Sequence, residues 1–183
     1  TVLNQINLNL LRIGVIYIAK EHTFDVVSKI DLQVLKDTLN VSEKIIKGRY
    51  DLKGGTNTIE LNEKENTLTI TAMSDMSLRS LKEILIQNAI KKDISSKAFE
   101  FKEAEKAFSG HLRVTVKFVQ GIDKENARII NDIIKNSNLK VKSLLQDEQI
   151  RVVSKDIDTL QQAITLLRSS DKIAIPLQFS NFR

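Results

Sequence analysis

From Thr23 onward, apolar positions recur with a period of two in some stretches and near 3.6 in others. Strands and helices therefore alternate along the chain. Residues 24–28 read as a short strand. Residues 31–47 read as a helix striped by Leu32, Leu35, Leu39 and Ile46. Residues 49–53 and 58–61 read as extended, with a bend at Gly54-Gly55 between them. Residues 62–66 are a polar turn, and residues 67–72 form a strand with Leu68, Ile70 and Ala72 on one face. A helix over 77–92 aligns Leu78, Leu81, Leu85 and Ala89, with Ser74, Asp75 and Ser77 as candidate caps. Residues 98–101 close this half as a short extended stretch.

The order then repeats. Residues 111–118 alternate, with Leu112, Val114, Val116 and Phe118 on one face. Residues 123–138 read as a helix striped by Ala127, Ile130 and Ile134. Residues 140–145 and 149–154 read as a hairpin around Gln146-Asp147-Glu148. Residues 158–169 read as a helix in which Asp158 and Gln161 have capping-box spacing. Residues 173–182 give a last extended segment. Hairpin and helix of the two halves align without gaps at an offset of 82, so that Leu68 meets Ile150 and Leu85 meets Leu167. Each half then follows a β-α-β-β-α-β plan, and the expected fold is α+β. It comprises two tandem ferredoxin-like, RNA-recognition-like domains, each an antiparallel sheet with two helices on one face. The expected division is 19–104 and 105–183, after an extension over 1–18. Periodicity leaves open an exchange of terminal strands between the halves.

Alternation also sorts the charges by face. With Val114, Val116, Val141, Ile150 and Val152 turned toward the helices, Arg113, Lys117, Lys140, Lys142 and Arg151 turn to the open side. If the three strands are neighbours, these cations share one face, without an acid at the outward positions of those strands. The corresponding positions of the first half include Asp25, Glu60, Thr69 and Thr71. Such a face fits phosphate, in a nucleotide or a nucleic-acid backbone. It equally fits an ordinary solvated face. The strands TLTITA and QIRVVS carry no aromatic residue, so base stacking in the manner of RNA-recognition domains is not expected.

Composition removes much chemistry. The chain of 183 residues has no Cys, two His and a net charge of +5. Disulfides, thiolate metal sites and Cys nucleophiles are excluded, and His22 and His111 do not make a His-based metal cage. The absence of Cys fits a reducing compartment without proving one. The mild positive charge permits an anionic partner. There is neither a P-loop nor a dinucleotide-binding glycine fingerprint. Gly54-Gly55 admits a phosphate-approach reading beside the plainer one of a turn. No constellation for an enzyme mechanism is visible, and no cofactor is expected.

Several stretches carry a family resemblance: residues 24–28 (FDVVS), 49–54 (RYDLKG), Leu61-Asn62, Ser74-Asp75 and Gln120-Gly121-Ile122. To these add residues 135–142 (KNSNLKVK), 149–152 (QIRV) with Lys155, and 176–183 (PLQFSNFR). Together they resemble the YajQ family from about Ala19 to Arg183. The resemblance implies a bacterial cytoplasmic protein of two ferredoxin-like domains. It implies nucleotide binding, of cyclic di-GMP in some members and of nucleotides or tRNA in others, and no established enzymatic activity. Three features depart from it. Residues 1–18 have no counterpart. They match neither a secretory signal nor a membrane span, because Arg12 and several Asn interrupt the apolar run. They are read as translated upstream sequence ahead of a start near Ala19, or else as an extra element. Lys91-Lys92-Asp93-Ile94 stands where members commonly have Gly before the Ile. Leu52 stands where a Phe is frequent. Outward charge and overlap with these stretches together nominate Arg49, Lys53, Arg113, Lys117, Lys140, Lys142, Arg151 and Lys155 as nucleotide- or phosphate-binding residues. The expected ligand is a nucleotide or cyclic dinucleotide held by these cations, with the groove between the halves selecting the base. The alternatives are RNA or tRNA held by its backbone, and a protein–protein module. No membrane partner is expected.

Overall fold

The computed structural model describes residues 21–53 and 55–183; the expectations for residues 1–18 and for Gly54 lie outside them. Among the described residues, four helices and two antiparallel sheets make an α+β fold of two ferredoxin-like units. The elements in chain order are β1 (His22–Val27), α1 (Leu32–Gly48), β2 (Thr58–Asn62), β3 (Thr67–Ala72), α2 (Asp75–Lys91) and β4 (Phe99–Phe101). They continue with β5 (Glu105–Lys106), β6 (Leu112–Phe118), α3 (Lys124–Asn136), β7 (Lys142–Gln146), β8 (Gln149–Ser154), α4 (Ile157–Ser169) and β9 (Gln178–Ser180).

The helices begin where side chains satisfy their free N–H groups. Asp31 accepts from Gln33 and Val34, Ser74 from Ser77, and Asp123 from Asn126. The cap of α4 is Asp156, which accepts from Asp158 and Thr159, so the Asp158–Gln161 capping box is not used. Within residues 49–53, Arg49 caps the end of α1 and residues 50–53 form turns rather than a strand. Leu52 is only 3% exposed in the core there, and the buried amide of Asn57 donates to its carbonyl at 2.9 Å. The gap-free match between the halves breaks in the hairpins. Asn62 pairs with Thr67 across four turn residues, whereas Gln146 pairs with Gln149 across two.

Strand pairing does not follow the halves. The first sheet runs β2-β3-β6-β4, with β5 also on β6, and the second runs β7-β8-β1-β9. The opening strands are thus traded, whereas the closing strands β4 and β9 stay with their own helices. Both sheets keep the ferredoxin order, because β6 occupies in the first the place that β1 occupies in the second. Two cores result. Leu68, Ile70, Leu81, Leu85, Val114 and Val116 centre the first; Phe24, Val26, Ile130, Ile150, Val152 and Leu167 centre the second.

Trading opening strands forces two crossings of the chain between the units, one after β1 and one after β6. They lie side by side. Lys29 bridges Gln120, Gly121 N–H donates to the Ser28 carbonyl at 2.6 Å, and the Gln120 amide donates to the Ile30 carbonyl at 2.8 Å. Gly121 has φ 129°, which L side chains rarely adopt, and a Cβ there would lie 2.7 Å from Glu148 Cβ. The segment after α4 closes over the same place: Ser28 Oγ donates to the Pro176 carbonyl at 2.6 Å.

Candidate functional site

The eight nominated cations fall in three places. Arg49 stands at the end of α1 and Lys53 in the turns after it. Arg49 is engaged by Asp51 through a two-pronged contact, Nε–Oδ1 3.0 Å and Nη2–Oδ2 2.7 Å. Tyr50 between them is 94% exposed, whereas Leu52 is in the core, so the aromatic ring open to solvent here is that of Tyr50.

Arg113 and Lys117 lie on the open face of the first sheet, and Lys142 and Arg151 on that of the second. The expectation of one shared basic face is therefore corrected. It assumed β6 beside β7 and β8, but the traded strands put β3 and β4 beside β6 and put β1 beside β8. The same trade brings acids onto both faces. Lys117 sits opposite Glu100 and Arg113 opposite Glu105, among a row of Thr67, Thr69, Thr71 and Thr115.

On the second sheet, Asp25 sits opposite Arg151. Its side chain is 1% exposed, and Arg151 grips it with Nε–Oδ1 at 2.8 Å and Nη2–Oδ2 at 3.0 Å. Asn181 Nδ2 donates to Asp25 Oδ2 at 2.8 Å. The Arg151 hydrogen bonds hold the Asp25 carboxyl below its ordinary range, against the upward push of burial. Arg151 is thus committed within the protein, and its positive charge is largely offset.

Also on the second sheet, Lys140 and Lys155 lie close to Lys142 and away from Arg151. The Lys140 carbonyl accepts from Ser154 Oγ at 3.1 Å, and Lys142 pairs with Val153, which brings the three to one corner of the second sheet. All three are exposed, and among the described residues none makes a salt bridge within 4.0 Å.

A cleft with a volume of about 950 Å³ lies where the chain crosses between the units. Residues 27–34, the end of α2 and the segment around β9 wall it. None of the eight nominated cations lines it. Its own cations are Lys29 and Lys92, neither in a salt bridge among the described residues. Four amide side chains, Gln120, Gln149, Gln178 and Asn181, also line it. Gln178 is fixed by both ends of its amide: Lys29 N–H donates to its Oε1 at 3.2 Å, and its Nε2 donates to the Lys29 carbonyl at 2.9 Å. Sequence reasoning raised a groove between the halves but missed these residues. The available signal was that Gln120-Gly121-Ile122, Gln149 and residues 176–183 all belong to stretches that carry the family resemblance. Among the described residues no cluster of His, Asp or Glu could hold a metal, and no helix is long and apolar enough to cross a membrane.

The family model described as nucleotide-binding protein YajQ-like matches residues 22–183. The chain belongs to the YajQ family. Similar proteins include the nucleotide-binding protein of Alkaliphilus oremlandii, 42% identical over 165 residues that cover 90% of this chain and 99% of that protein. A nucleotide-binding protein of Exiguobacterium and one of Enterococcus faecalis are each 39% identical over 165 residues, again 90% of this chain and 99% of theirs. In this YajQ chain the matched stretch includes both crossings and every wall of the cleft. It also places Asp93 at the end of α2 with φ 59°, the left-handed conformation that suits Gly.

Proposed function

We propose that this chain is a non-enzymatic nucleotide-binding protein of the cytoplasm, with its ligand in the cleft at the crossing between the units. The observation that carries the reading is the pairing of size and chemistry there. A volume of about 950 Å³ suits a nucleotide. Lys29 and Lys92, each beside a carboxylate of the same wall (Asp31 and Asp93), offer positive charge for phosphate, and four amide side chains offer donors and acceptors for a base edge. Cyclic di-GMP and GTP are the ligands to try first. The relatives named above are called nucleotide-binding proteins, which supports the same reading. The test is calorimetric titration of the full chain with each nucleotide at two salt concentrations. Saturable binding with a shallow salt dependence is expected, because a cyclic dinucleotide carries only two phosphates. No binding of either nucleotide would refute the reading.

A second reading rests on the corner where Lys140, Lys142 and Lys155 meet. These lysines suit an RNA backbone, tRNA included, held without sequence preference. Such binding should lose orders of magnitude between about 50 and 200 mM salt. Binding of tRNA alone with that steep slope would favour this reading over the first.

A further inference from the structure

Among the described residues, the outer strand of the second sheet, β7, is paired on one side only. Its turn has two residues, and Gln146 and Gln149 close it. In a two-residue hairpin the closing pair exchanges both backbone hydrogen bonds, and bonded and non-bonded pairs then alternate. Gln146, Leu144 and Lys142 therefore turn their backbone groups toward β8. Ser143 and Leu145 turn theirs outward, and neither takes part in any backbone hydrogen bond beyond the strand pairs among the described residues.

The side chains add two observations. Leu144 is 52% and Leu145 44% exposed, side by side at the middle of the free edge. Edge strands are ordinarily blunted there by a charge or a Pro. The charges are instead sorted to the two ends, with Lys140 and Lys142 before the leucines and Asp147 and Glu148 after them. Read in the opposite direction, the stretch complements itself: basic end against acidic end, leucine against leucine.

We propose that β7 is a self-association edge, on which a second copy of this chain docks its own β7 antiparallel about a two-fold axis through Leu144. Ser143 then exchanges both backbone hydrogen bonds with the partner's Leu145, Lys142 faces the partner's Gln146, and Lys140 approaches the partner's Glu148. Leu144 meets its own counterpart in a non-hydrogen-bonded pair. The contact is isologous and closes at two copies. It joins two four-stranded sheets into one of eight strands, and the dimer carries two inter-unit clefts.

The chain has no Cys, which makes the test clean. In the full chain, Leu144→Cys puts two thiols about 4.5 Å apart by Cα in the proposed pair, within disulfide reach. Under mild oxidation it is expected to give a covalent dimer at least about 10-fold faster than Gln146→Cys, whose counterpart lies away from the axis. Sedimentation of the unmodified chain is expected to show a concentration-dependent dimer. Ser143→Pro removes an outward N–H and no hairpin bond, and is expected to weaken that dimer at least about 100-fold. Should Ser143→Pro fail to fold by circular dichroism, Leu144→Lys, which sets like charges on the axis, gives the same reading. A chain that stays monomeric up to about 200 μM with equal cross-linking by the two Cys variants overturns the proposal. So does a dimer that survives Ser143→Pro and Leu144→Lys, because its interface then lies elsewhere.

Discussion

Arg151 grips Asp25 from a strand 126 positions away in the chain, through two parallel hydrogen bonds of 2.8 and 3.0 Å. The pair ties β8 to the traded strand β1 and is therefore a direct chemical mark of the exchange. Asp25 is 1% exposed but the Arg151 side chain is 37% exposed, so solvent screens part of the attraction. Arg151→Ala leaves a buried carboxylate without its main partner. A loss of about 1–3 kcal/mol is expected in urea unfolding, below the range for a fully buried pair because of that screening. Asp25→Asn should cost less than Arg151→Ala, since it leaves no buried charge.

The same pair sets an acid limit. Arg151 holds the Asp25 carboxyl below its ordinary value in the folded chain. Above the unfolded value, near 4, the full contribution is present, and it disappears as pH falls through the lower folded value. The unfolded chain binds the proton first, so acid favours unfolding. Stability measured from pH 6 down to about 2 should fall less steeply in Asp25→Asn than in the unmodified chain. Parallel curves would contradict the assignment.

At the end of α2, Ile94 N–H reaches back to the Ala89 carbonyl at 2.9 Å and Asp93 N–H to that of Ile90 at 3.0 Å, a turn that places Asp93 at φ 59°. A side chain is strained there and Gly is not. Asp93→Gly is expected to stabilise the chain by about 0.5–1 kcal/mol even though it increases the freedom of the unfolded state. Unfolding midpoints of the two proteins check this.

Gly121 is the opposite case. Its φ of 129° and the approach of Glu148 leave no room for a methyl group. Gly121→Ala should cost at least about 1–3 kcal/mol from backbone strain alone. It should also speed hydrogen exchange at residues 28–31 and 119–123, where the crossings bond to each other. Unchanged exchange there would show that the crossings do not depend on this glycine.

Much of the fold was legible because one-sided burial leaves a periodic trace. Leu68, Ile70 and Ala72 marked β3 to the residue, and Asp31 and Asp123 marked the starts of α1 and α3. Pairing between distant strands leaves no such trace. Alternation put Asp25 and Arg151 on open faces, but nothing local says that β1 lies against β8. The outward cations were read correctly one by one, whereas their grouping failed for that reason. The cleft was harder still, since Lys29, Gln120 and Gln178 lie on connecting or edge segments with no period to read. The turns at residues 50–53 misled because alternating Tyr50 and Leu52 imitate a strand, while Leu52 in fact anchors a loop.

The central claim is that nucleotide binds at the crossing between the units. The most direct measurement is calorimetric titration of cyclic di-GMP and GTP into three forms of the full chain: unmodified, Lys29→Glu with Lys92→Glu, and Lys140→Glu with Lys142→Glu. Unfolding curves confirm that each form is folded. Reversal of the two cleft charges is expected to weaken binding at least about 100-fold, with the corner variant within about 3-fold of the unmodified chain. Equal affinity in the folded cleft variant, or loss confined to the corner variant, would contradict the claim.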